Sequence, residues 1–116
     1  MPSPDHSVVA RREGGVTVID LPGPLVGELV VHDLRDRLLD LLALGAKNFA
    51  INLAEVPYAD SYGIGGLAAA YNLVRHRGGR IKFFAAPARL VRMLASLRLD
   101  TVFELFEDES SALSSF

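Results

Sequence analysis

The amino-acid sequence predicts an α/β domain: a mostly parallel sheet of four to five strands, opened by an N-terminal hairpin and covered by about four helices. Three observations predict it. Short β-branched or continuous apolar runs alternate with stretches of helical periodicity, the first two runs are joined by a double glycine, and the later runs are separated by crossovers of helix length. Parallel neighbours need such crossovers, and these are right-handed, whereas a two-residue loop joins only an antiparallel pair.

The chain has 116 residues, 50% of them hydrophobic, which is enough for one core of ordinary size and too little for two domains. Residues 1–6 carry two prolines and no periodicity and read as a disordered N-terminus, leaving 7–116 as the domain. A first strand is expected over 7–12, ending at Glu13-Gly14-Gly15, and a second over 16–21, where Val16, Val18 and Ile19 favour a pleated surface. Pro22-Gly23-Pro24 cannot continue a ladder and turns the chain off the sheet.

Over 30–44 the residues Val31, Leu34, Leu38, Leu41 and Leu42 recur at helical spacing, with Asp33, Asp36, Arg37 and Asp40 on the other face and Gly45 as the stop. Residues 49–53 form a nearly continuous apolar run, as a strand covered on both faces does. Ile64, Leu67, Ala68, Tyr71 and Val74 then return to helical spacing, ended by Gly78-Gly79. A buried strand follows over 81–86. Pro87 suits the first position of a helix carrying Leu90, Met93, Leu94 and Leu97. A short strand over 103–106 and a helix capped by Asp108 and running towards Phe116 complete the chain.

Composition excludes several classes of function. Net charge is −2 with Lys and Arg spread along the chain, so the concentrated basic field that nucleic acid requires is missing. With no cysteine there is no disulfide, thiolate metal site or cysteine nucleophile, and three scattered histidines do not make a zinc site; no cofactor or metal is expected. No uncharged run approaches the roughly 20 apolar residues of a membrane span, and the N-terminus lacks a basic-then-apolar leader, so no membrane insertion and a cytoplasmic location are expected.

The unusual stretch is Val56-Pro57-Tyr58-Ala59-Asp60-Ser61-Tyr62-Gly63-Ile64-Gly65-Gly66-Leu67, between the third strand and the second helix. Loops at strand ends are where such sheets place function. Asp60 or Ser61 suits the helix N-cap, because a side-chain oxygen there accepts from amides the first turn leaves unpaired. Capping leaves Gly63, Gly65 and Gly66 unexplained, each costing roughly 0.5–1 kcal/mol relative to alanine within a helix. Such a cost points to another backbone or surface approaching closely.

Gly63-Ile64-Gly65-Gly66-Leu67-Ala68 also fits the loose dinucleotide pattern G-x-G-x-x-A, yet the acid expected about 20 residues later is missing. A serine hydrolase is disfavoured as well, since Ala59 stands where a nucleophile elbow has glycine and no histidine is aligned with Ser61. His6, His32 and His76 read as solvated surface, and the Arg75-His76-Arg77 cluster suits a helix C-terminus. Tyr62, where the first helical turn meets solvent, is a better candidate for a binding anchor than Tyr58.

Asp60-Ser61-Tyr62-Gly63-Ile64-Gly65-Gly66-Leu67 resembles the signature of the STAS family, the sulphate-transporter and anti-sigma-factor-antagonist domains. That pattern is Asp-Ser, a small hydroxyl residue, Gly, an aliphatic residue, two variable positions and Leu, approached by Val-x-x-x-Asp. Val56, Asp60, Ser61, Gly63, Ile64 and Leu67 fall into it. Tyr62 departs from the second hydroxyl residue, and Asn52 stands where many relatives have aspartate. The likeness extends over about 7–116, and it implies a STAS-like fold and a non-enzymatic, stand-alone anti-sigma factor antagonist. Such a protein binds an anti-sigma factor that is also a serine kinase, with Ser61 as phosphate acceptor and Asp60, Ser61, Tyr62, Gly63, Ile64, Gly65 and Gly66 as the partner-binding segment. The resemblance equally covers scaffold subunits of stress-signalling complexes and accessory subunits of ABC transporters. A monomer or weak homodimer is expected.

Overall fold

A computed structural model describes residues 7–116, so the expectation for the N-terminus lies outside the described residues. The element order is β1 (Val9–Glu13), β2 (Val16–Asp20), α1 (Leu29–Ala43), β3 (Asn48–Asn52), α2 (Ser61–His76), β4 (Arg80–Phe84), α3 (Ala88–Ser96), a 3₁₀ turn (Leu99–Thr101), β5 (Leu105–Phe106) and α4 (Glu109–Ser114). The strands form one five-stranded sheet in the order β1-β2-β3-β4-β5, antiparallel between β1 and β2 and parallel elsewhere.

The hairpin is as expected. Glu13 pairs with Val16, so Gly14-Gly15 is the whole loop, and Gly14 supplies the positive φ of 64° that a two-residue turn needs. The first strand begins two residues later than the pattern predicted. The Val8 amide donates to Asp33 Oδ2 at 2.8 Å and its carbonyl accepts from Arg37 at 3.1 Å, so α1 holds Val8 in place of the ladder. Asp33 and Arg37 are therefore joints to β1 and not only a solvated helix face.

The sheet separates two apolar layers. On one face Ile19, Phe49, Ile51, Ile81 and Phe83 pack under α1, α2 and α3, which contribute Leu34, Leu38, Leu67, Val74, Leu90 and Leu94. On the other face Val16, Val18, Ala50 and Phe84 meet Ala112 of α4. The central β3 thus buries Phe49, Ala50 and Ile51 in succession, which accounts for its unbroken apolar run.

Towards the C-terminus three details differ from the pattern. Pro87 is the cap of α3, extended at φ −60° and ψ 154°, and not its first helical residue. The helix stops at Ser96, so Leu97 is 54% exposed and leaves the apolar stripe. The last strand contains only Leu105 and Phe106, because the 3₁₀ turn delivers Phe103 into the core, stacked on Phe83 at 4.5 Å between ring centroids. Asp108 caps α4 as expected, accepting from the Ser111 amide at 2.8 Å.

Polar side chains pin α4 to its face. Arg11 donates to Asp20 at 2.9 Å and to Glu109 at 2.6 Å, holding both carboxyls below their ordinary ranges. Lys82, buried, donates to the Ser115 carbonyl at 2.8 Å beneath the Phe116 ring.

Candidate functional site

The site is built where β3 leaves the sheet and α2 begins. Leu53 ends the run, Val56 and Ala59 are buried, and Asp60 turns extended, with φ −93° and ψ −172°, as an N-cap does. Of the two residues suited to cap the helix, Asp60 takes the role: its Oδ1 accepts from the Gly63 amide at 2.9 Å. Its Oδ2 accepts from the Gly27 amide, also at 2.9 Å, in the loop between β2 and α1. These two amides hold the Asp60 carboxyl below the ordinary aspartate range.

Capping by Asp60 leaves Ser61 free for other chemistry. Ser61 is the first residue of α2 and is exposed, and no side-chain hydrogen bond among the described residues uses its hydroxyl. Tyr62 is 57% exposed beside it. A hydroxyl in that position is accessible to a modifying enzyme, and a phosphate placed on it would lie at the positive end of a 16-residue helix.

The glycines divide by face. A Cβ at Gly63 would stand 2.0 Å from the Leu25 carbonyl oxygen, and one at Gly66 would stand 2.6 Å from a Val31 methyl of α1. The close approach expected from these glycines therefore comes from the chain itself at two of the three positions. A Cβ at Gly65 would meet nothing, so this glycine is open to solvent. Gly63 and Gly66 are buried, which keeps them off the outer surface on which they were expected to meet a partner, and Ile64 is half-buried.

The loop of residues 21–28 is tied to the same turn, a neighbourhood the sequence pattern did not indicate. The Asp60 amide donates to the Leu25 carbonyl at 3.1 Å and the Leu25 amide to the Tyr58 carbonyl at 3.0 Å, as in a one-residue parallel bridge between Leu25 and Ala59. Gly27, at φ 71°, was the available signal: a glycine in a short loop after Pro22-Gly23-Pro24 marks a backbone turned to meet something. Tyr58 is half-buried under the Arg89 guanidinium, 4.5 Å from its ring centroid.

Asn52 fits its neighbours as an amide. Its Nδ2 donates to Asp20 Oδ1 at 2.8 Å while its Oδ1 accepts from the Ala54 amide at 3.0 Å. An aspartate at 52 would face Asp20 with no proton to donate at neutral pH, so this departure from the family pattern is matched to Asp20.

Fold and site together define a small α/β module that presents a free serine hydroxyl and an exposed tyrosine at a helix terminus, on a loop cluster at the carboxyl edge of the sheet. Residues 7–112 match the STAS domain model, and the chain belongs to the STAS domain family. It is 29% identical to the anti-sigma-B factor antagonist of Bacillus subtilis over 89 residues, 74% of this chain and 81% of the relative. A Thermotoga maritima protein provisionally assigned as an anti-sigma factor antagonist has the same fold, with a TM-score of 0.84 at 18% identity, covering 93% of this chain and 92% of the other. So does the Bacillus cell fate determinant SpoIIAA in its phosphorylated form, with a TM-score of 0.73 at 17% identity, covering 94% and 98%. No helix among the described residues is long and apolar enough to cross a membrane.

Proposed function

We propose that this domain, residues 7–116, is an anti-sigma factor antagonist of the cytoplasm: it binds an anti-sigma factor that is also a serine kinase, releases a sigma factor, and is switched off by phosphorylation of Ser61. The observation that carries this reading is the division of labour at the start of α2. Asp60 satisfies the helix terminus, so the adjacent Ser61 hydroxyl is exposed and uncommitted, in the segment to which the resemblance to STAS antagonists assigns the acceptor serine. The kinship with a protein named as an anti-sigma-B factor antagonist supports it. The domain has no catalytic role in this reading; the partner supplies the chemistry.

Phosphorylation adds about −1.5 to −2 charges in the middle of the docking surface. If desolvating that charge and losing contacts costs on the order of 3–4 kcal/mol, affinity falls roughly a hundredfold to a thousandfold, enough to dissociate a micromolar complex. The helix terminus attracts an anion by roughly 0.3–1 kcal/mol, so the free domain tolerates the phosphate and no large rearrangement is required.

The test uses the unmodified protein and Ser61→Asp as baits in lysate of the native organism, with captured partners and Ser61 phosphate identified by mass spectrometry. Retention of a serine-kinase anti-sigma factor by the unmodified protein and its loss from Ser61→Asp is the expected result. Capture of the same transporter or scaffold subunits by both baits, with Ser61 never modified, would overturn the reading.

A further inference from the structure

Asp60 stands between two exposed apolar patches. Tyr62, on α2, is 57% exposed; Leu29, at the start of α1, is 65% exposed, and Val26, in the loop before it, 44%. These are large side chains for a surface, and Pro22, Pro24, Val26 and Leu29 rim a shallow concavity there. An aspartate beside a modifiable serine reads first as a contact residue, but both Asp60 oxygens accept backbone amides of its own chain, from Gly63 and Gly27. The backbone pairing of Leu25 with Tyr58 and Asp60 runs alongside, and Gly63 leaves no gap between helix and loop. The 26–29 loop therefore moves with the first turn of α2.

We propose that Asp60 is a positioning residue, whose carboxylate holds the 26–29 loop beside Ser61 and Tyr62 so that the anti-sigma factor kinase docks on both patches at once. This rests on the reading under Proposed function. The charge pattern selects the partner's chemistry. The Asp60 charge is turned inward to amides, and Glu28, exposed, is the one charged residue of the 26–29 loop. The complementary surface is an apolar side chain that enters the concavity, with a basic group beside it for Glu28.

Two measurements test this, one of them independent of any partner. Amide hydrogen exchange of the isolated protein reads the joint: in Asp60→Asn the Gly27 amide exchanges about tenfold faster or more, while β3 amides remain protected. Unchanged exchange at Gly27 would overturn the proposal. A double-mutant cycle against the kinase captured by the unmodified protein reads the function. Leu29→Ala weakens binding roughly tenfold, and adding Asp60→Asn weakens it by less than the product of the two single effects, because both act through the loop. Full affinity in Leu29→Ala, or strictly multiplicative effects, would overturn it. Val26→Ala with Leu29→Ala supplies the binding test without disturbing the joint, should Asp60→Asn fold poorly. Failure to capture any kinase sinks the function reading and leaves the exchange result standing; full affinity in the loop variants sinks only this proposal.

Discussion

Replacing Gly63 by alanine sets two effects of opposite sign against each other. Within a helix alanine is favoured over glycine by roughly 0.8–1 kcal/mol. At this position, however, the new Cβ would stand 2.0 Å from the Leu25 carbonyl oxygen, more than an ångström inside ordinary contact, and 3.0 Å from the Ala59 Cβ. The obstacle is backbone, which cannot rotate away. Relief requires Leu25 to retreat, and its carbonyl and amide hold Asp60 and Tyr58 at 3.1 and 3.0 Å. Each such hydrogen bond contributes about 1 kcal/mol, and overpacking of this kind costs about 1–3 kcal/mol more. The net loss is therefore about 2–4 kcal/mol, or a fall in Tm of roughly 8–16 °C for a domain of this size. Gly65→Ala is the internal control: its Cβ meets nothing, so helix propensity alone acts and Tm rises by a few degrees. Thermal unfolding followed by circular dichroism measures both. A Gly63→Ala protein as stable as Gly65→Ala would refute the assignment of Gly63 to close approach between loop and helix.

The remaining predictions concern the polar joints and the switch. Asn52→Asp places a carboxylate against Asp20 in place of the 2.8 Å amide donor, costing about 1–2 kcal/mol at pH 7; urea midpoints show the deficit shrinking as the pH falls below about 4.5, and an equal deficit at every pH would contradict it. Asp20 and Glu109 titrate lower in the folded protein than in the unfolded chain because Arg11 donates to both, so their contribution is complete above about pH 5 and is lost as the pH falls through their folded values. Arg11→Met flattens this acid limb of the stability profile, and an unchanged limb would show that other carboxyls govern it. Ser61→Asp melts within about 2 °C of the unmodified protein, since the helix terminus offsets the added charge; a Tm far below that value would contradict a switch acting on binding.

The elements were legible in the sequence where one local rule governed them. The four-residue recurrence of Leu34, Leu38 and Leu42 marks α1, Gly14-Gly15 marks the hairpin, and the unbroken run of Phe49, Ala50 and Ile51 marks a strand covered on both faces. What escaped depends on contacts between residues far apart in the chain, which leave no periodicity. Asp33 and Arg37 look like any polar helix face until Val8, just before β1, is placed between them. Phe103 reads as strand because its hydrophobicity is visible and its stacking on Phe83 is not. At the site the position of Ser61 at a helix start was legible, and so was the anomaly of three glycines. Their cause was only half legible. Glycine signals close approach without naming what approaches, and here Leu25 and Val31 of the same chain fill the space beside Gly63 and Gly66. The second oxygen of Asp60 was likewise invisible, because its partner amide at Gly27 lies 33 residues away.

In the proposed switch one exposed hydroxyl, Ser61, decides whether this surface is occupied. Its most direct test is the Kd of the captured serine-kinase anti-sigma factor for this protein, measured by calorimetry with Ser61 unmodified and with phosphoserine encoded at position 61. The phosphorylated form is expected to bind more weakly by roughly a hundredfold to a thousandfold. Equal affinity of the two forms would contradict it.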